Sequence, residues 1–467
     1  MPMLPVTDQD RIEKDSLGEV RIAATALWDA QTQRALENFR IGRATMPPEL
    51  IRAIGLIKWA AAETNGELGE LPAPFAAAIA EAAHEVASGL HADQFPLGVM
   101  QTGSGTSTNM NVNEVVARLA GKRLGKPVHP NDHVNRCQSS NDVIPTAIHL
   151  AAAFAVRDSL LPALSALAEA ISAKIREVGA HVKTGRTHLM DALPITVGQE
   201  MRAWQTQVED AAARIAAVRP RLHRLALGAT AVGTGVNAHP EFASRAIERL
   251  TKFTGLELAA APDRFACLAS QDTAVELSGQ LRGAAVALLK ISNDLRWMNS
   301  GPLAGLAEIS VPALQAGSSI MPAKVNPVIP EAVAMAATQV MAQDTAVAMA
   351  GASGNFQLNV MLPLIAHALL ESIELVAGSA RALAARVIPG LTVHTARISE
   401  ALARNPMLLT ALAPRIGYDR AAVIARRAAS EARPILEIAI DETGLPREEL
   451  ARLLDPARLA RGEGGGS

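Results

Sequence analysis

A glycine- and serine-containing segment that begins at residue 317 combines several groups that suit the binding of an anion. It reads Gly317-Ser318-Ser319-Ile320-Met321-Pro322-Ala323-Lys324-Val325-Asn326-Pro327. The first three amides can form an anion-binding nest, and Lys324 and Asn326 add a positive charge and an amide donor. Pro327 is typical of the first position of a helix, so the positive end of a helix dipole is expected beside the loop. The segment predicts a dicarboxylate site with a serine hydroxyl that loses its proton readily; a flexible linker is the alternative interpretation.

A second polar segment lies between two predicted long helices and contains a histidine. It reads Gly185-Arg186-Thr187-His188-Leu189-Met190-Asp191. Because the histidine side chain exchanges a proton near neutral pH, His188 is a candidate general acid or base. A structural histidine is the alternative, although no apolar stripe surrounds this residue and Thr187 lies directly beside it. The pattern leaves both interpretations open.

Two further loops are rich in small polar residues. They read Asn135-Arg136-Cys137-Gln138-Ser139-Ser140-Asn141-Asp142 and Gly103-Ser104-Gly105-Thr106-Ser107-Thr108-Asn109-Met110-Asn111. In the first loop, Ser140 or Asn141 can cap the helix that follows, and the exposed amides at a helix start can also bind a carboxylate. Its run of small polar residues is longer than a cap requires. For the second loop, a binding role and an ordinary surface loop both remain open.

Motifs for other chemistries are missing or lack their structural context. Residues 233–238 fit the dinucleotide pattern G-x-G-x-x-A, but no strand–helix–strand unit is predicted around them. The sequence has no HExxH motif, no Walker loop and no G-x-S-x-G motif. Only Cys137 and Cys267 are present, which excludes a Cys-based zinc site and the usual iron–sulfur cluster. We therefore expect neither a metal nor another cofactor.

Composition and charge narrow the class of protein further. The chain has 467 residues, 49% of them apolar but only 3% aromatic, and a formal net charge of -2. This balance gives no reason to expect nucleic acid or an anionic membrane as a partner. No run of about 18 apolar residues and no signal-peptide pattern is found, so we expect a cytoplasmic protein. The glycine-rich end, 461–467, is expected to be a flexible tail.

Long helices are expected to position these loops. Apolar residues recur every three or four positions at 160–178 and 201–218, and two more helical segments follow near 327–351 and 358–388. The most regular series comprises Leu277, Leu281, Ala284, Leu288, Ile291, Leu295 and Met298. This unbroken heptad pattern suits packing along a partner helix at a shallow angle. Together these segments predict a bundle of five long helices that carries a subunit interface.

The character of the chain changes twice along its length. Residues 1–140 mix helices with polar loops, and residues 141–393 contain the long helical stripes. Residues 394–467 have shorter and more charged segments and are expected to form a small helical C-terminal domain. We therefore predict three domains with these boundaries.

Taken together, the four polar loops resemble those of the fumarase/aspartase superfamily and, within it, the class II fumarases. The segment from Gly317 to Pro327 resembles the superfamily's signature loop over eleven residues. The resemblance continues through Glu13-Lys14-Asp15-Ser16-Leu17-Gly18, Leu27-Trp28, Ala30-Gln31-Thr32-Gln33-Arg34, Gly228 to Asn237, Gly354 to Val360 and Ile416-Gly417-Tyr418-Asp419. It implies an all-α, three-domain fold whose central five-helix bundles form a twenty-helix core in a homotetramer, with each active site shared by three subunits. In that arrangement we expect the heptad face from Leu277 to Met298 to be buried between subunits.

The resemblance also implies roles for individual residues. Ser318 matches the base that takes the C3 proton of malate, and Lys324 and Asn326 match donors that stabilise the resulting aci-carboxylate. His188 matches the acid–base residue that handles the water or the leaving hydroxyl, paired with Glu331. Substrate-binding positions are matched by Ser104, Gly105, Thr106, Ser139, Ser140, Asn141, Thr187, Ser319, Lys324, Val325 and Asn326. A second, non-catalytic dicarboxylate site is matched by His129, Pro130, Asn131 and Asp132.

Several positions depart from the pattern of the fumarases. Ala323 stands where fumarases more often have glycine, His133 where many have aspartate, and Cys137 where serine is usual. Ser104 and Ser140 are fumarase-like, since aspartases tend to have alanine and threonine at these positions. The implied reaction is the reversible hydration of fumarate to (S)-malate. Aspartate ammonia-lyase activity is the alternative, and a non-catalytic structural role is a third hypothesis.

Overall fold

The computed structural model describes residues 10–317, 319–321 and 324–463, and these residues form nineteen α-helices. The helices are α1 (Ala30–Asn38), α2 (Pro48–Glu67), α3 (Ala73–Ala87), α4 (Thr106–Leu124), α5 (Ser140–Ala155), α6 (Leu161–Val178), α7 (Val197–Ala216), α8 (Arg219–Leu222), α9 (Phe242–Thr254), α10 (Arg264–Ala269), α11 (Asp272–Met298), α12 (Val328–Gly351), α13 (Leu362–Arg386), α14 (Thr395–Ala403), α15 (Ala413–Ile416), α16 (Tyr418–Glu431), α17 (Ile435–Thr443), α18 (Arg447–Leu453) and α19 (Pro456–Ala460).

The strands of the described residues are short and pair only two by two. They are β1 (Asp10–Asp15), β2 (Gly18–Ala23), β3 (Val182–Thr187), β4 (Met190–Thr196), β5 (Arg224–Leu225), β6 (Ala259–Ala260), β7 (Ile309–Ser310), β8 (Gly354–Asn355), β9 (Leu358–Asn359) and β10 (Thr392–Val393). The β5–β6 pair is parallel, whereas β1–β2, β3–β4, β7–β10 and β8–β9 are antiparallel. Since these pairs form no larger sheet, the predicted all-α class is confirmed.

All five predicted long helices are present. The first runs over Ser140–Val178, where the π-helical residues Val156–Leu160 join α5 to α6, and the others are α7, α11, α12 and α13. Alanine and leucine are abundant in them, and both have high helix propensity. Helix α13 begins at Leu362, a few residues later than predicted, because the β8–β9 hairpin occupies the preceding residues.

The heptad series on α11 is buried inside a single chain. From Leu277 to Met298, none of its seven residues is more than 4% exposed. A partner subunit has almost no area left to cover on this face, so the expectation that it lies between subunits was wrong. A repeat of apolar residues describes a packing seam, but it does not tell whether the facing helix belongs to the same chain.

Helix α12 presents an exposed face without charge. The face comprises Met335, Thr338, Ala342, Thr345 and Met349, which recur every three or four residues. The two methionine residues are each 69% exposed. After Glu331 the only charged residue of the helix is Asp344, which is buried and contacts Ser278 and Arg282. An uncharged helix face of this length is typical of a surface that packs against another protein element.

The chain divides into two compact units. The first unit contains the residues up to Leu161, Ala213–Gly283 and Gln339–Val376, and the second contains Pro162–Ala212, Ala284–Thr338 and the residues from Ala377 onward. Within the second unit, α16, α17 and α18 pack around a separate hydrophobic cluster that includes Leu412, Ile424, Ile438 and Leu450. The division into three domains stays a prediction.

Two helical stretches would be long and apolar enough to cross a membrane by length and composition alone. They are Ser140–Val178 and Leu362–Arg386, and 50% and 67% of their most apolar windows is buried inside the chain. The first stretch contains Arg157 and Asp158, and the second contains Glu371. Core helices of water-soluble proteins pass the same test, so neither stretch is clear evidence of a membrane span.

Candidate active site

Ser104 and Thr106 lie at the start of α4, in the first unit. Their hydroxyl oxygens are 2.8 Å apart, and Gly105 between them has a φ of 73°, a left-handed value that favours glycine. A Cβ atom at Gly103 would lie 1.6 Å from the carbonyl oxygen of Val360, so this position also requires glycine. Both hydroxyl groups are therefore held at the positive end of a 19-residue helix, where an anion is favoured.

Ser139, Ser140 and Asn141 lie at the start of α5, also in the first unit. Ser139 Oγ accepts the Asn141 N–H at 3.2 Å, and the Asp142 carboxylate accepts the Ser139 N–H at 2.9 Å. Ser139 and the third residue of the helix, Asp142, form a capping box, so the cap is Ser139 and not Ser140 or Asn141. Ser140 Oγ accepts a hydrogen bond from Asn109 Nδ2 at 2.9 Å. A hydroxyl that accepts in this way keeps its own hydrogen for a ligand.

Asp142 joins this helix start to a second loop of the first unit. It is fully buried and also accepts the backbone N–H groups of Gly228 and Thr230, each at 2.9 Å. Burial raises the pKa of Asp142 to about 6, and the backbone donors act in the opposite direction. No role was predicted for Asp142, although a carboxylate three residues after Ser139 has the spacing of a capping box.

His188 stands at the tip of the β3–β4 hairpin, in the second unit. Thr187 pairs with Met190, and the two turn residues His188 and Leu189 have φ values of 55° and 60°. Positive φ at both central positions is the geometry of a type I′ turn, which costs roughly 1–2 kcal/mol per residue that is not glycine. Strain of this kind is retained mainly at functional positions. Among the described residues no hydrogen bond joins the exposed His188 side chain to Glu331 or to another group.

A buried charge cluster anchors strand β3 behind this turn. The fully buried Lys183 Nζ lies 2.7 Å from a carboxylate oxygen of Glu200 and 2.7 Å from one of Glu308. Arg186 pairs with the other Glu308 oxygen. Burial would raise the pKa of Glu308, but Arg186 and Lys183 outweigh it and hold that pKa below its usual value. Nothing in the sequence pairs Glu308 with residues more than 120 positions away, so this cluster was not predicted.

The two ends of the signature loop contact each other just before α12. Asn326 Nδ2 donates to the Gly317 carbonyl oxygen at 2.6 Å, and a Cβ atom at Gly317 would lie 1.7 Å from the Lys324 carbonyl oxygen. Helix α12 begins at Val328, one residue after the predicted start. The side chains of Ser319, Lys324 and Val325 are exposed, and Glu331 is exposed in the first turn of the helix. Ser318, the predicted base, and Ala323 lie outside the described residues.

The residues of the predicted second dicarboxylate site form one π-helical turn in the first unit. His129 Nδ1 accepts the backbone N–H groups of Asn131 and Asp132 at 3.3 and 3.0 Å, and the turn spans Pro130–Val134. The side chains of His129, Asn131 and Asp132 are exposed. A surface cavity of about 760 Å³ adjoins His129, Pro130 and Asn131. Its lining includes two basic residues, Lys14 and Arg34, and four acidic residues, Glu13, Asp15, Asp29 and Glu114.

Residues 10–317, 319–321 and 324–463 contain no group of three or more His, Cys, Asp or Glu side chains that could hold a metal ion. Cys137 and Cys267 are not paired with each other, and burial raises the pKa of both thiols. The hydroxyl, amide, imidazole and ammonium groups described above suit a carboxylate ligand.

Known proteins resemble this chain along nearly all of its length. A family described as "Lyase" matches residues 18–342, and one described as "Fumarase C C-terminus" matches residues 408–461. "Fumarate hydratase class II" of Xylella fastidiosa (strain 9a5c) is 57% identical over 98% of this chain and 96% of that protein. The chain belongs to the class II fumarases.

Other class II fumarases agree with this assignment. The "Fumarate hydratase class II" of Thermus thermophilus is 50% identical over 97% of this chain and 98% of its own. The crystal structure of recombinant class II fumarase from Schistosoma mansoni superposes with a TM-score of 0.93 at 38% identity, covering 97% of this chain and 99% of that one. The predicted family is therefore confirmed.

Removing the Glu308 carboxylate tests the anchoring cluster of this class II fumarase. Glu308→Gln leaves Lys183 and Arg186 without their shared counter-charge, so we expect a loss of roughly 3–5 kcal/mol in unfolding free energy at neutral pH. Since the folded pKa of Glu308 is lowered, its contribution is present above the ordinary glutamate pKa and is lost as the pH falls through the folded value. Urea unfolding of both proteins from neutral to acidic pH measures the difference.

The matched control is Glu177→Gln, which removes the exposed carboxylate beside another buried lysine, Lys174. The Glu177 carboxylate is 64% exposed, and Lys174 keeps its hydrogen bond to the Leu391 carbonyl oxygen without it, so this variant should lose at most about 1 kcal/mol. Equal stability of Glu308→Gln and Glu177→Gln would show that the cluster does not anchor the hairpin.

Proposed function

We propose that this chain catalyses the reversible addition of water to fumarate, which gives (S)-malate. The observation that carries the proposal is the identity of 50–57% with fumarate hydratases over 97–98% of the chain. The relatives named above are fumarate hydratases, which argues against the aspartate ammonia-lyase alternative. The presence of Ser318, Lys324, His188 and Glu331 argues against a purely structural role.

The difficult step is the removal of a carbon-bound proton from C3 of malate. We assign this step to Ser318, on its position in the signature loop. The electron pair left on C3 is shared with the neighbouring carboxyl group, and this aci-carboxylate carries two negative charges. The exposed Lys324, the Asn326 amide and the positive end of α12 supply preorganised stabilisation for that charge.

The second step breaks the bond between C2 and its hydroxyl group. We assign His188 as the acid that protonates the departing hydroxyl, so that water leaves and fumarate forms; in hydration it takes the proton from water. Glu331 is assigned as the carboxylate that pairs with the imidazole. Both side chains are exposed in the single chain and are not hydrogen-bonded to each other. This exposure supports an active site that several subunits complete.

The carboxylates of the substrate need donors that do not react. Hydroxyl and amide groups at the starts of α4 and α5, together with Thr187, are assigned to this role. They are Ser104, Thr106, Ser139, Ser140, Asn141 and Thr187. The turn from His129 to Asp132 is assigned as the second, non-catalytic dicarboxylate site, because its polar side chains are exposed beside the 760 Å³ cavity.

The proposal also includes the oligomeric state, the absence of a cofactor and the location in the cell. The uncharged exposed face of α12 supports a homotetramer in which this face packs against another copy, with active sites shared by three subunits. We assign a metal-independent, cofactor-free reaction of the tricarboxylic acid cycle in the cytoplasm. Lys324, Asn326 and His188 offer organic donors and an acid, and the two cysteine residues are too few for the usual iron–sulfur cluster.

The first prediction concerns the substrate. Purified protein, treated with a chelator, should produce fumarate from malate, which is followed by the ultraviolet absorbance of the conjugated double bond. The same protein given aspartate should produce little fumarate. If the protein turned over aspartate faster than malate, it would be an ammonia-lyase and not a hydratase. Ala323, which departs from the fumarase pattern, would then indicate the substrate better than the fumarase-like Ser140 does.

A second prediction separates the roles of Ser318 and His188. Ser318→Ala removes the base but leaves Lys324 and Asn326, so KM should change little while kcat falls by several orders of magnitude. His188→Asn keeps a polar side chain that cannot exchange a proton near neutral pH, and kcat should fall about 10²–10⁴-fold. Glu331→Gln should act like His188→Asn, but more weakly. If Ser318→Ala keeps nearly normal kcat, the base must be reassigned.

A third prediction concerns assembly through α12. The unaltered protein should elute near four times 49.0 kDa. Met335→Glu places a charge on the exposed face and should give smaller, helical and inactive species, measured by light scattering and circular dichroism. Val423→Glu places the same charge on an exposed apolar residue of α16 and serves as control. A Met335→Glu tetramer with full activity would contradict the assignment of this face.

A further inference from the structure

A fully buried lysine lies behind the start of α5, in the first unit. Lys58, on α2, has no exposed surface, and its Nζ donates to Asn135 Oδ1 and to Gln138 Oε1, each at 2.9 Å. Burial lowers the pKa of Lys58 to about 7, and the carboxylate of Asp142 acts in the opposite direction. Even a neutral amine keeps two N–H groups, so both acceptor oxygens meet a donor in either protonation state.

The Lys58 amine and the carbonyl oxygen of Gln138 together decide which way the Asn135 amide points, since Asn135 Nδ2 donates to that carbonyl oxygen at 3.2 Å. An ammonium group only donates hydrogen bonds, so Asn135 must present its oxygen to it. That oxygen also accepts from Asn109 Nδ2 and Asn113 Nδ2, at 3.2 Å each. Asn109 must therefore present its NH₂ group and not its own oxygen. Asn109 Oδ1 is buried without a hydrogen-bond partner among the described residues, which is the cost of this orientation.

The orientation of Asn109 in turn fixes the hydroxyl group of Ser140. Asn109 Nδ2 donates to Ser140 Oγ at 2.9 Å, so that oxygen acts as an acceptor on its buried side. If the Asn109 amide were reversed, its oxygen would face the oxygen of Asn135 and would take the Ser140 hydrogen. In the observed orientation the Ser140 hydrogen stays free to be donated to a ligand. The carboxylate of a substrate can only accept hydrogen bonds, so this polarity is the one that binding requires.

We propose that Lys58 is a positioning residue for substrate binding, which acts through Asn135 and Asn109 to keep the Ser140 hydroxyl group a donor toward a substrate carboxylate. The inference rests on the proposed function, because it takes Ser140 as a substrate-binding residue. Lys58 does not touch the substrate in this scheme. Gln138, the second acceptor of Lys58, holds the same loop by donating to the carbonyl oxygens of Val134 and Arg136.

The test replaces Lys58 by methionine, which fills a similar length without a donor. Lys58→Met removes the shortest of the hydrogen bonds that hold the Asn135 amide. The amide then turns over more often, and the Ser140 hydrogen is shared between Asn109 and the substrate. We expect KM for fumarate to rise about tenfold, the factor for one hydrogen bond to a charged group. The inhibition constant of succinate, an unreactive dicarboxylate, should rise by the same factor. Because ground state and transition state lose the same bond, kcat should change less than KM.

A matched control is Lys174→Met. Lys174 is also a buried lysine, but it lies in the second unit and donates to the Leu391 carbonyl oxygen and to Glu177. This variant should leave KM and the succinate constant unchanged. Melting temperature does not decide the matter, because replacing a buried charge by an apolar group changes stability in either direction.

A second variant, Asn109→Asp, replaces the Asn109 NH₂ group by a carboxylate oxygen, which accepts the Ser140 hydrogen, and it leaves Lys58 unchanged. It should raise KM and the succinate constant as Lys58→Met does, and it decides the outcome if Lys58→Met does not fold. If KM for fumarate and the inhibition constant of succinate were unchanged in the folded variants, the inference would be overturned. An equal rise of these constants in Lys174→Met would overturn it as well. If the unaltered protein neither hydrates fumarate nor binds succinate, the proposed function fails instead, and this result is recognised before any variant is made.

Discussion

The alignment of helix N-termini with polar loops is the constraint on which the rest of this structure depends. Helices α4, α5 and α12 each begin within or directly after a segment that was predicted to bind a carboxylate. The first N–H groups of a helix have no partner inside it, and the helix dipole makes this end positive. A dianionic ligand is favoured there only if the helix start is rigid. Rigidity comes from buried bonds: the Asp142 carboxylate for α5, and the close approach of Gly103 to Val360 for α4.

Buried charges in this protein orient donors more than they add stability. Lys58 and Asp142 in the first unit, and Lys183 and Glu308 in the second, are almost completely removed from solvent. A buried ion pair is often no more stabilising than a well-packed apolar pair, because desolvation offsets the attraction. What such groups do supply is direction, since an ammonium group always donates and a carboxylate always accepts. Each of these clusters lies directly behind a loop or turn to which a substrate-binding or catalytic role is assigned.

Exposure distinguishes the residues that form the core of one chain from those proposed to contact the substrate or another subunit. The apolar seam of α11 is complete within one chain, whereas Met335 and Met349 on α12 and the predicted site residues His188, Lys324 and Glu331 are exposed. The exposure of His188 and its strained φ of 55° support the proposal of an active site that is shared between subunits.

Short-range patterns in the sequence were enough to predict the helices and the loops at their starts, because helix periodicity and capping act over three or four residues. The residues of those loops were enough to predict the family. The five long helices were predicted for that reason. The tertiary structure alone decided which groups meet across long separations: Glu308 with Lys183 and Arg186, and Lys58 with Asn135. It also decided that the Leu277–Met298 seam is internal, since apolar spacing is the same for a helix of the same chain and for one of a partner. Ser139 became the cap in place of Ser140 because Asp142 is buried where it can accept the Ser139 N–H, and burial is a property of the whole fold.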